Sequence, residues 1–162
     1  MADRAVIDFT VVVPGPEYGP VEPYDAASAD RYLQVLVTER ERRSFAIVDD
    51  DEHVGNVGLK AIDFENKRSE CFIEIGERRA RRRGVASKAM SLLLDIAFDE
   101  LRLQEVRLGV FDFNHPAIAL YRRVGFDEVS PIGNHYVDGV YFVINGMRIT
   151  ARQWAARRTV LH

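Results

Sequence analysis

Ile75-Gly76-Glu77-Arg78-Arg79-Ala80-Arg81-Arg82-Arg83-Gly84-Val85-Ala86-Ser87 is the stretch on which the fold turns. Before it, residues 69–75 read as a strand, with Glu70 and Glu74 on one face and Cys71 on the other by two-residue periodicity. After it, Val85, Ala89, Leu92, Leu93 and Ile96 recur at helical spacing, while Lys88, Ser91, Asp95 and Asp99 fall opposite, which predicts a helix over 84–101. A strand that turns through glycine into a helix leaves unpaired N–H groups at the helix start, and small residues there let a ligand approach the backbone. Gly84 and Ala86 stand at that place, so the junction reads as an anion site of the kind that cradles a diphosphate. Neither a Gly-Lys-Ser/Thr sequence nor a dinucleotide fingerprint is present, which removes nucleotide-triphosphate chemistry from the candidates. An arginine-rich solvated loop is the alternative reading.

Working outward, residues 44–49 and 54–62 predict two strands around Asp49-Asp50-Asp51-Glu52, and a turn over 63–67 completes an antiparallel meander. Upstream lie a predicted strand at 5–13, a connection punctuated by Pro14, Pro16, Pro20 and Pro23, and a predicted helix over 25–43. Downstream, Val106, Leu108 and Val110 alternate with Arg107 and Gly109 in a strand at 105–111. Asn114-His115-Pro116 opens a second helix that Gly125 closes. Phe126 returns to strand, and Asp138-Gly139 marks a hairpin. In the tail, Trp154 beside Arg152, Arg157 and Arg158 reads as a packing anchor. Strands followed by strand-helix-strand-helix-strand describe one α+β (mixed α/β) domain over residues 1–162, with helices on a largely antiparallel sheet.

The 162 residues are 47% hydrophobic and 29% charged, a globular composition. With 22 Lys+Arg against 25 Asp+Glu the net charge is -3, so nucleic acid is not an expected partner. A single cysteine excludes an internal disulfide or a cysteine-based zinc site and suits a reducing compartment, the cytoplasm. The four histidines lack metal-ligand spacing, so no metal is expected, and no apolar run reaches the length of a membrane span.

Arg81-x-x-Gly84-x-Ala86, followed by Asn114-His115-Pro116-Ala117-Ile118-Ala119-Leu120-Tyr121-Arg122-Arg123-Val124-Gly125-Phe126, resembles the ordered pair of signatures of the GNAT superfamily of N-acetyltransferases. With Ile73-Glu74-Ile75-Gly76-Glu77 the passage is most similar to the branch holding ribosomal-protein N-terminal acetyltransferases and spermidine acetyltransferases, over about residues 45–129. Arg82 departs from the glycine common at its position and Ala80 from a frequent aromatic; residues 145–162 are not well covered. The resemblance implies a GNAT-like fold: a central, mostly antiparallel sheet with a splayed cofactor-binding edge and helices on both faces. It implies acetyl-CoA, held by Ile75, Arg81, Arg82, Gly84, Val85, Ala86, Ser87, Asn114 and Ala117.

It also implies chemical roles. Tyr121 matches the general acid near the cofactor sulfur; a core aromatic is the alternative. Glu70, ahead of Glu74, matches the carboxylate that deprotonates the amine, against a plain solvated edge pair. Asn114 is a cofactor contact, a helix cap, or both. The expected acceptor is a primary amine, either a protein N-terminus or a small cationic molecule such as a polyamine, steered by Glu17, Glu22, Asp25 and Asp30. An acyl-CoA sensor without turnover is the competing function, and a homodimer is allowed.

Overall fold

The computed structural model describes residues 40–76, 84–137 and 140–161. Its strands are β1 (Arg43–Asp49), β2 (Glu52–Asp63), β3 (Arg68–Ile75), β4 (Glu105–Phe111), β5 (Asp127–Val137) and β6 (Val140–Thr150). Its helices are α1 (Val85–Asp95), which runs on through a π-helical turn at Ile96–Glu100, α2 (His115–Val124) and α3 (Ala151–Leu161). The strands form one sheet in the order β1-β2-β3-β4-β6-β5, antiparallel except where β3 meets β4. The predicted meander and hairpin are therefore present; β5 and β6 pair as far as Val137 opposite Val140.

The predicted strand at 5–13, the Pro-rich connection and most of the predicted helix over 25–43 lie outside the described residues, as do Glu17, Glu22, Asp25 and Asp30. The end of that helix requires correction. Residues 40–42 are not helical and Arg43 already pairs with Leu59 as the first residue of β1. Charge pairs along a helix contribute only ~0.2–0.5 kcal/mol each, and the pairing of Phe45 and Ile47 against Val57 and Gly55 prevails over them.

One apolar core joins the helices to the sheet. Val106, Leu108 and Val110 of β4 and Met147 and Ile149 of β6 are buried against Met90, Leu93, Leu94 and Ala97 of the α1 segment and Ile118, Tyr121 and Val124 of α2. Among the described residues all three helices contribute to this core. Leu92, assigned from spacing to the buried stripe of α1, is instead 64% exposed, and Met90 and Leu94 take the core positions. α3, not foreseen, is anchored by Trp154, whose Nε1 donates to Asp95 Oδ1 at 2.9 Å; Arg158 donates to Asp95 and Asp99 beside it. Trp154 is 3% exposed, as a packing anchor should be.

Candidate active site

The parallel pairing of β3 with β4 is short. It joins Arg68, Ser69 and Glu70 to Glu105, Val106 and Arg107, and ends there, although β3 continues to Ile75 and β4 to Phe111. The two strands diverge into a wedge whose vertex is the Glu70–Arg107 pair. A wedge between parallel strands can take an extended peptide-like chain by adding backbone hydrogen bonds to the sheet.

The vertex separates two kinds of surroundings. Glu70 lies on the face away from the described helices, 55% exposed, with its Oε2 3.4 Å from Lys60 Nζ. Its neighbour Cys71 points the other way into the core, where burial pushes the thiol up to about 12. A thiol kept protonated in this way is not a nucleophile. Tyr121 reaches the same side from α2, its ring 5.8 Å from that of Phe126. Burial, and after it the nearby Cys71, raises the Tyr121 hydroxyl well above the ordinary tyrosine value, so it holds its proton. Glu74 shares the Glu70 face but stands four residues further along β3, ~13 Å away at ~3.3 Å per residue. The two carboxylates therefore do not converge on one small nitrogen.

The start of α1 lies beyond the mouth of the strand pair. Gly84 precedes the helix with φ 79°, in the left-handed region open to glycine, and an added Cβ would meet nothing within 4 Å. Lys88 N donates to Gly84 O at 3.0 Å, closing the first turn, while the N–H groups of Val85, Ala86 and Ser87 have no acceptor within their own helix. Ser87 Oγ is buried without a hydrogen-bond partner among the described residues. Arg81 and Arg82 lie outside the described residues. Asn114 is the N-cap of α2, its Oδ1 accepting from Ala117 N at 3.3 Å, so the cap reading holds for Asn114.

The open face also carries groups that sequence reading missed. A cavity of about 570 Å³ is lined by Lys60, Glu70, Arg107 and Arg148 and, on its apolar side, by Phe111 and Ile144. Phe111 stacks on Phe113 with centroids 5.2 Å apart, and Phe142 closes on both. Alternation along β4 places Arg107 opposite the core, but only the cross-strand register shows that it stands between Glu70 and Arg148. Among the described residues no cluster of His, Cys, Asp and Glu is arranged to hold a metal, and no helix is long and apolar enough to cross a membrane.

The Acetyltransferase (GNAT) domain family matches residues 1–127. The chain belongs to the GNAT acetyltransferases. It is 32% identical to spermidine N(1)-acetyltransferase of Escherichia coli K12 over 138 residues, 83% of this chain and 73% of that protein. An uncharacterized N-acetyltransferase, p20 of Bacillus licheniformis, is 30% identical over 118 residues, 69% of this chain and 66% of that one. Its fold matches the crystal structure of spermidine N-acetyltransferase from Vibrio cholerae in complex with CoA and spermine, with a TM-score of 0.77 at 21% identity, covering 95% of this chain and 87% of that one. This GNAT acetyltransferase transfers an acetyl group from acetyl-CoA to an amine. The residues present fit that cofactor: the wedge offers strand backbone, the start of α1 offers outward N–H groups with open space at Gly84, and Ser87 Oγ lacks a partner among the described residues.

Proposed function

We propose that acetyl transfer takes place at the β3–β4 vertex, with Glu70 as the base on one face of the sheet and Tyr121 as the acid on the other. The observation that carries this reading is their placement: an exposed carboxylate and a buried, firmly protonated hydroxyl flank the point where the strands part. Glu74, further toward the strand end, is a positioning group in this scheme.

Acetyl-CoA supplies a thioester, whose C–S bond is exchanged for an amide C–N bond. Glu70 accepts the proton that the acceptor nitrogen sheds. Tyr121 donates the proton that the thiolate leaving group takes, and its burial keeps that proton available at neutral pH. Val85, Ala86 and Ser87 present their N–H groups to the diphosphate, Arg81 and Arg82 add positive charge, and the backbone near Ile75 pairs with the peptide-like arm. Asn114 and Ala117 act through the start of α2, which they cap and thereby hold in place. The acceptor is a primary amine; relatives named for spermidine support a small molecule over a protein N-terminus. A reducing compartment holding acetyl-CoA, the cytoplasm, is the setting in which a lone buried thiol and this chemistry are both at home.

Release of the CoA thiol in the presence of an amine panel tests the reading. Tyr121→Phe is expected to lower kcat ~100-fold while acetyl-CoA affinity stays unchanged, and Gly84→Asp to weaken cofactor binding by calorimetry. Thiol release with no acetylated product in any amine would leave a hydrolase in place of a transferase, and acetyl-CoA binding with no thiol release would leave a sensor. Wild-type kcat in Tyr121→Phe, with chemistry limiting, would return that residue to the core alone.

A further inference from the structure

We infer that the amine acetylated by this chain carries a carboxylate of its own: the acceptor is a small aminocarboxylate, of the α- or β-amino acid kind, and not a polycation. This rests on the reading of Glu70 given above and names the substrate class of the same site. Four strands bring charged residues into one line across the open face. Lys60 of β2 pairs with Glu70 of β3, Glu70 with Arg107 of β4, and Arg107 with Arg148 of β6. All four line one cavity. Adjacent strands are ~4.8 Å apart, so the backbone positions of Arg107 and Arg148 stand one and two strand spacings from that of Glu70.

The charged lining of the cavity favours an anion. Three cations and one carboxylate line the cavity, and Lys60 already takes up much of Glu70 at 3.4 Å. Among the described residues Arg107 and Arg148 share a single ion-paired carboxylate, Glu105, which accepts from Arg107 Nε and lies 3.5 Å from Arg148 Nη1. Counting Glu105, and Asp127 opposite Arg148 on β5, brings the wider group to neutrality, so the positive excess belongs to the cavity lining itself. The side chains of Arg107 and Arg148 remain 52% and 50% exposed, and two guanidinium groups offer far more N–H donors than one carboxylate can accept. A diamine with one nitrogen at Glu70 sets its second ammonium along the Arg107–Arg148 row, where like charge repels it. An aminocarboxylate sets its anion there, in the geometry that arginine recognises best. Phe111 and Ile144 are left to contact its carbon chain.

The deciding experiment measures kcat/KM, with products identified by mass, for L-alanine, β-alanine, the amide of each, spermidine and a short peptide amide with a free N-terminus. The amides have less basic amines and react more readily in water, so a preference for the acids has to come from the protein. The acids are expected to exceed their amides by about ten-fold or more, the usual scale of a charge-assisted pair. Arg148→Gln and Arg107→Gln should each abolish that preference, raising KM for the acid with little change for the amide. Arg148→Lys, which keeps the charge and loses the fork, should retain part of it and guards against a folding defect in the glutamine variants. Calorimetric titration of β-alanine into the protein saturated with CoA gives a readout independent of turnover: binding should weaken about ten-fold in Arg148→Gln. Spermidine, the peptide or the amides acetylated as well as the acids would overturn the inference and leave Glu70 in place as base. No amine acetylated at all would overturn the reaction together with it.

Discussion

The same strands present two unlike surfaces. On the helix-covered face of β4 and β6, Val106, Leu108, Met147 and Ile149 are at most 4% exposed. On the other face the alternate residues of those strands are Glu105, Arg107 and Arg148, joined by ion pairs, with the two arginines half open to solvent. The difference separates stability from chemistry. Burial is worth ~25 cal/mol per Å² of apolar surface, whereas exposed ion pairs contribute ~0–1 kcal/mol, so the covered face holds the sheet together and the open face is free to be selected for a ligand. β3 shows the contrast within adjacent residues, with Cys71 sealed in the core and Glu70 beside it in the cavity.

The contrast can be broken most directly from the covered side. Met147→Ala or Leu108→Ala should cost ~2–5 kcal/mol in denaturant unfolding, because each deletes a buried side chain and leaves a cavity; a loss below ~1 kcal/mol would mean that the face is not the core. Next in size, Glu70→Gln should lower kcat ~100-fold, with unfolding free energy moved by less than ~0.5 kcal/mol. Equal losses of stability and turnover would erase the distinction between the faces.

Alkaline pH sharpens the comparison at the vertex. The Cys71 thiol is raised from 9.0 to about 12 on folding, so its contribution is fully present below pH 9 and is lost as pH rises toward 12. Each such group adds a slope of ~1.4 kcal/mol per pH unit in that window. Tyr121, also raised, acts in the same direction at higher pH. Cys71→Ala should remove one proton's worth of that slope, measured by denaturant titrations between pH 8 and about 11. The smallest effect is expected at Arg148→Gln: a change in stability within ~0.5 kcal/mol, since its partner Glu105 retains Arg107. Destabilisation on the scale of the core variants would show the open face to be structural.

Much of this was legible in the sequence because the signals were local. Alternation in β4 records burial residue by residue, and Asn114, Pro116 and Gly125 bracket α2 through capping chemistry alone. α1 was found with Leu93 rightly in the core and Val85 and Ala89 against it, and only Leu92 misplaced. Met90, Leu94 and Ala97 also stand at helical spacing beside the predicted stripe, and only contact with the sheet puts them, and not Leu92, in the core. α3 was missed because Ala151–Leu161 has Trp154 as its one fully buried large anchor among the described side chains and no continuous stripe. The Lys60-Glu70-Arg107-Arg148 row was invisible for a different reason: these residues come from four strands, and register is a property of the assembled sheet.

Gly109 and Gly146 face one another across β4 and β6. A Cβ on Gly109 would come within 2.9 Å of Ile132 Cδ1, and one on Gly146 within 2.7 Å of Ile132 Cγ2, because β5 shifts register between Val129 and Gly133 and leans over the sheet. The floor of the cavity is thus adjustable from outside the catalytic strands. A bulkier or smaller residue at position 132 would change how long an acceptor fits, without altering the β3–β4 vertex or any of the four charged residues. Evolution, or an engineer, can retune this enzyme's choice of molecule by size through one side chain of a strand that takes no part in the reaction.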